Sequence, residues 1–101
     1  MLSGTSIFGV PQIQLHQHLY MFLEIVTPIK KVYEGEVSIV TFPGVDGSFQ
    51  IMNDHAPLVS TLKEGEVIYK HKDGSEKVDI TGGVVEVLNN KIVLLADGLS
   101  D

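Results

Sequence analysis

The chain has 101 residues, of which 44% are hydrophobic and 20% charged, enough for one core and too little for two. Thirteen acidic side chains face seven basic ones, all lysine, for a net charge of −6, and cysteine is absent. That balance argues against nucleic acid or an anionic lipid surface as partner, and the missing thiol rules out disulfides and thiolate metal sites.

The elements begin late. Residues 1–20 carry no charged side chain, whereas all twenty charges lie between Glu24 and Asp101. The first twenty residues lack the basic start of a signal peptide and hold no uninterrupted apolar run of about twenty residues, so no membrane span is expected there. They read as an extension, tag or weakly ordered segment, with at most a helical turn or two inside residues 5–20. The folded domain is expected to be 21–101.

From Met21 onward the pattern has period two. Phe22 to Thr27 is rich in β-formers and stops at Pro28. Glu36 to Phe42 alternates up to Pro43-Gly44, and Ser48 to Met52 is a short third run. Leu58 to Leu62 follows Pro57, and Glu66 to His71 runs to the hairpin dipeptide Asp73-Gly74. Lys77 to Thr81 pairs across that turn. Val84 to Leu88 follows Gly82-Gly83, and Lys91 to Ala96 follows the Asn89-Asn90 turn.

This is an all-β chain of about eight to ten short strands. It predicts a small two-sheet β-sandwich, or flattened barrel, with its sheets antiparallel and face to face. On the run from 36 to 42, Val37, Ile39 and Thr41 share one face while Val40 and Phe42 share the other. The outer apolar face near Val40, Phe42 and Leu58 is therefore expected to dock on a partner.

The stretch Pro43 to Leu58, PGVDGSFQIMNDHAPL, holds two glycines, two aspartates and a histidine. Adjacent residues of an extended chain point to opposite faces, so Asp54 is badly placed to orient His55 towards Ser48 or Ser60. Asn53-Asp54 reads instead as an Asx-type turn wedged by His55. His16, His18, His55 and His71 lack the spacing of a metal site, so neither metal nor cofactor is expected. Gly44-x-x-Gly47 is not followed by the residues of a phosphate loop, and Gly82-Gly83 reads as a bulge or a strand crossing. Gly35, Gly44, Gly65, Gly82 and Gly83 are expected to serve the backbone.

The ordered series Leu23-Glu24-Ile25-Val26-Thr27-Pro28, Glu34-Gly35-Glu36-Val37, Pro43 to Leu58, Leu62-Lys63-x-Gly65, Gly82-Gly83-Val84-Val85-Glu86-Val87 and Leu95-Ala96-Asp97 resembles the N-terminal β-sandwich domain of the epsilon subunit of F-type ATP synthase. The resemblance runs from about Met21 to Asp97. It implies a non-catalytic central-stalk subunit that binds the gamma subunit and sits on the ring of c subunits, coupling ion translocation to ATP synthesis. The lack of transit-peptide features favours a bacterial source, with the protein expected as a peripheral part of the F1 sector on the cytoplasmic face of the inner membrane. The resemblance assigns the loop Val45, Asp46, Gly47 and Ser48 to the c-ring side, and His55, Ala56, Pro57, Leu58 and Ser60 to the gamma side.

The chain departs from the family in having Gln50 where glycine is usual, Asn53 where proline is frequent, and Ser48 where relatives are often acidic. Most members also continue into a two-helix C-terminal hairpin; the polar end Asp97 to Asp101 predicts a natural short form without it. The competing classes are a free-standing ligand-binding sandwich and a small enzyme dependent on His55. No tryptophan and seven other aromatics supply a carbohydrate platform poorly.

Overall fold

A computed structural model describes residues 20–100; the expectations for residues 1–19, His16 and His18 included, lie outside them. Among the described residues there is no helix. Nine strands follow one another: β1 (Met21–Val26), β2 (Lys31–Val37), β3 (Ile39–Gly44), β4 (Gly47–Met52), β5 (Leu58–Leu62), β6 (Gly65–His71), β7 (Gly74–Ile80), β8 (Gly83–Leu88) and β9 (Lys91–Ala96).

Hydrogen bonding joins them in the order β2-β1-β9-β8-β5-β3-β6-β7, with β4 on the other side of β3. The link between β5 and β3 is a single residue pair, Gly44 with Leu62. The sheet therefore curls there into two layers, β2-β1-β9-β8-β5 and β7-β6-β3-β4. Sequence patterning anticipates this sandwich. Its pairing differs in one place: β1 and β9 run parallel, because the first and last strands lie side by side in the first layer with the whole second layer between them in sequence.

Four hairpins stay within a layer, and the remaining connections carry the chain across. Ser38 is such a crossing. The run from Glu36 to Phe42, read from sequence as one strand, is the end of β2 in one layer and the start of β3 in the other, with the Ser38 amide donating to the Lys70 carbonyl at 2.8 Å. The crossing resets the alternation, so Val37, Val40 and Phe42 all point inward and are fully buried. The expected docking face around Val40 and Phe42 is therefore core, and Leu58 packs against that core.

The stretch Lys31 to Gly35 carries no period-two apolar pattern, yet it forms most of β2. It is polar because β2 pairs with β1 alone, and an edge strand carries charge that discourages further pairing.

Leu23, Ile25, Val85, Ile92 and Leu94 from the first layer meet Val40, Phe42, Ile51, Val67 and Ile80 from the second, all at 0% exposure. Each such side chain contributes about 1.5–3 kcal/mol through removal of apolar area from water. Phe49 leans on Phe42 with ring centroids 5.6 Å apart. Opposite the β5–β3 corner, Tyr33 of β2 and Tyr69 of β6 meet at 4.4 Å. At the far end of β7 from Tyr69, the residues after β9 turn back along that strand, through the Thr81 amide to the Gly98 carbonyl and the Ser100 amide to the Asp79 carbonyl.

Candidate interaction surfaces

The register separates two ends of the sandwich. Strand β4 starts beside the turn of Val45 and Asp46 and finishes at the connection Asn53 to Pro57. Six residues at about 3.3 Å each place these loops roughly 20 Å apart. The loop expected to face the c-ring and the segment expected to face gamma thus occupy opposite ends.

At the first end, Pro43 pairs with Ser48 and Gly44 with Gly47, leaving Val45 and Asp46 as an exposed two-residue loop. Gly47 has φ of +130° and Ser48 is exposed. Two contacts with the end of β5 and the residue after it brace the loop: the Val45 amide donates to the Thr61 carbonyl at 3.3 Å, and the Lys63 amide donates to the Pro43 carbonyl at 2.9 Å. Gly82 and Gly83 lie at the same end, since Leu62 pairs with Gly83.

The other end is built around a left-handed turn. Asp54 has φ of +63°, a conformation that aspartate tolerates. The His55 amide closes the turn on the Met52 carbonyl at 3.2 Å, and His55 Nδ1 lies 2.8 Å from the Ala56 carbonyl oxygen. The Asp54 carboxylate contacts the amide groups of Asn53 and Asn90. His55 and Asp54 make no base–orienter pair. Ser48 lies at the far end of β4, and the Ser60 hydroxyl is bonded to the Thr61 carbonyl.

Across a shallow cleft of about 400 Å³ from His55, Ala56 and Pro57 stands the β8–β9 hairpin turn. Its Asn89 and Asn90 have φ of +51° and +61°, the two positive values of a type I′ turn.

Strand β5 carries the remaining residues of that segment. Leu58 and Ser60 are half-buried, while Val59 and Thr61 between and beyond them are exposed. The outward side chains continue across the layer in register, Thr61 beside Val84 beside Leu95, and Val59 beside Glu86 beside Val93. Val59 is 69% exposed, Leu95 54%, Leu88 50% and Val84 40%. This strip, apolar apart from Glu86, is exposed, whereas the face around Val40 and Phe42 is buried. Its signal was present as Val84 and Leu88 alternating with buried Val85 and Val87, but alternation alone does not say which set faces out.

A second concavity of about 540 Å³ lies at the seam of β2 with the β6–β7 hairpin, lined among others by Tyr33, Glu36, His71 and Glu76. His71 Nε2 is 2.8 Å from Glu76 Oε2. Burial raises the Tyr33 and Tyr69 phenols, and the nearby Glu76 carboxylate adds to the shift. The group clasps the two layers together where no strand pairing does.

Among the described residues, no group of three or more histidine or acidic side chains is placed to hold a metal ion, and no helix is long and apolar enough to cross a membrane.

Residues 20–100 match the family model for the ATP synthase delta/epsilon chain β-sandwich domain. The ATP synthase epsilon chain of Chlorobium limicola is 49% identical over 79 residues, which cover 77% of this chain and 90% of that one. Among solved structures, a chain of the Tetrahymena thermophila mitochondrial ATP synthase central stalk and c-ring superposes with a TM-score of 0.68 at 25% identity, over 80% of this chain and 66% of that chain. A chain of the Euglena gracilis mitochondrial ATP synthase assembly of OSCP, F1 and c-ring gives 0.73 at 16% identity, over 77% and 51%, a likeness of fold alone. On the extent of these matches, the chain belongs to the ATP synthase delta/epsilon β-sandwich family.

Proposed function

We propose that this chain is a non-catalytic subunit of the ATP synthase central stalk, turning with the rotor and coupling ion translocation to ATP synthesis. The observation that carries the reading is the family match over the whole described sandwich, residues 20–100. The arrangement suits a coupling element. One end presents Val45, Asp46, Gly47 and Ser48, which take the c-ring side. The other presents His55, Ala56 and Pro57, which take the gamma side together with β5 at Leu58 and Ser60.

The apolar strip of Val59, Val84, Leu88 and Leu95 extends the gamma-facing surface. Neighbouring exposed apolar side chains on one sheet face suit a surface that another protein covers. The chain acts on the cytoplasmic face of the bacterial inner membrane as a peripheral part of the F1 sector. Gly35, Gly44, Gly65, Gly82 and Gly83 hold backbone shapes, and residues 21–101 form the functional domain.

Size-exclusion chromatography of the full chain with the gamma subunit from the same source tests this. Co-elution at micromolar concentration is the expected result. A folded chain that elutes alone at every concentration overturns the reading.

A further inference from the structure

We infer that Asn90 is the positioning residue for the His55 turn: its side-chain amide clamps Asp54 and so fixes the shape in which His55, Ala56 and Pro57 are presented to a protein partner. The inference rests on the gamma-binding reading for the identity of that partner.

The clamp is reciprocal. The Asp54 amide donates to Asn90 Oδ1 at 2.6 Å, and Asn90 Nδ2 donates to Asp54 Oδ1 at 3.3 Å. One amide group thus satisfies both a backbone donor and a carboxylate of a loop 36 residues away in sequence. A third bond anchors the clamp itself, since the Asn90 carbonyl accepts from the Phe22 amide at 2.9 Å. Asn90 therefore ties the β4–β5 connection to the β8–β9 turn and to the start of β1.

The connection crosses between layers, residues 54–57 are all exposed, and its bonds to itself include the His55 amide to Met52, the His55 ring to Ala56 and the Asn53 amide group to the Asp54 carboxylate. Asp54 sits at φ of +63°, a conformation that is sparsely populated unless its surroundings select it. A hydrogen bond to a charged group is among the stronger local determinants available. Asparagine suits the clamp twice over, because it tolerates the +61° required at the turn and carries a donor and an acceptor on one planar group.

The clamp also makes the turn's shape depend on the β8–β9 hairpin. The apolar strip reaches that hairpin at Leu88, next to Asn89. A partner covering the strip and the turn together therefore meets two surfaces held in fixed relation by one side chain.

The test uses three variants of the full chain. Asn90→Gly keeps the positive φ at no steric cost and removes only the amide. Asn90→Asp sets two carboxylates against each other. The exchange Asp54→Asn with Asn90→Asp rebuilds the pair with donor and acceptor reversed, both residue types tolerating the left-handed conformation. Amide hydrogen exchange at Asp54 and His55 in the free chain reports the clamp, and titration with gamma reports its consequence.

Asn90→Gly and Asn90→Asp are expected to lose protection at Asp54 and to bind gamma about tenfold more weakly, with the melting temperature close to the parent's. The exchanged pair is expected to recover both. Unchanged protection in Asn90→Gly overturns the clamp. Lost protection with unchanged gamma affinity overturns the positioning role. If the parent itself does not bind gamma, the gamma reading and the positioning role fall together, while the exchange data still decide whether the clamp exists.

Discussion

Gly83 shows how much a single backbone position demands. Its φ is +156°, and a Cβ there would stand 2.5 Å from the Leu95 carbonyl oxygen, a backbone atom that cannot swing aside. Gly83→Ala is expected to cost about 1–3 kcal/mol, read as a lower urea midpoint; an unchanged midpoint would remove this constraint from the fold. Tyr33 and Tyr69 make the complementary point about charge. Burial, and then Glu76, raise both phenols above their ordinary value of 10.0. Between that value and the folded one, the native chain keeps protons that the unfolded chain has released. The contribution of these two groups to stability is therefore fully present below pH 10.0 and is lost as pH rises through their folded values. Tyr33→Phe should flatten that alkaline decline in urea denaturation, and an identical decline in the variant would place the proton release elsewhere. All three residues are visible as residue types in the sequence. Their demands are not, because the Leu95 carbonyl and the Glu76 carboxylate reach them only through strand pairing and packing.

Individual strands were legible wherever turn chemistry bracketed them. Asn89-Asn90 marks its hairpin because both loop residues must accept positive φ, and Asp73-Gly74 marks the other because Gly74, the first residue of β7 after the Lys72-Asp73 loop, takes φ of +136°. The run across Ser38 was not legible, since a period-two pattern continues on paper while the chain changes layer. That single crossing moved Val40 and Phe42 from an expected surface to the core. Phe42→Ala should accordingly destabilise the free chain by about 3–5 kcal/mol, and Val40→Asp should unfold it. The outer strip behaves oppositely. Leu95→Glu is expected to change the unfolding free energy, read from urea denaturation, by no more than about 0.5 kcal/mol while weakening co-elution with gamma. A midpoint that collapses in Leu95→Glu, or gamma binding that ignores it, contradicts the placement of this surface.

The two ends of the sandwich belong to the whole molecule, because no local pattern says which turns gather together. The turn of Val45 and Asp46 shares its end with Gly82-Gly83, and the His55 turn shares its end with Asn89-Asn90. Sites this far apart with no common side chain are expected to act independently. Asp46→Lys should lower ATP-synthesis coupling in reconstituted vesicles without changing gamma affinity, whereas His55→Ala should lower gamma affinity with the fold intact. If Asp46→Lys weakens gamma binding as strongly as His55→Ala does, the division of the molecule into two working ends is wrong.

Composition, the turn dipeptides and the two-residue period determined an all-β sandwich, and the ordered series from Leu23 to Asp97 pointed to its family. The first three are local properties, written in residue type and spacing, so one sequence is enough to read them; the family reading rests on resemblance to known members. The tertiary structure decided the parallel pairing of β1 with β9, the inward turn of Val40 and Phe42, the exposure of Val59, Val84, Leu88 and Leu95, and the meeting of Asn90 with Asp54. Each depends on which strands become neighbours. That is fixed by the layer crossings and by burial of one shared core, through contacts between residues far apart in the chain.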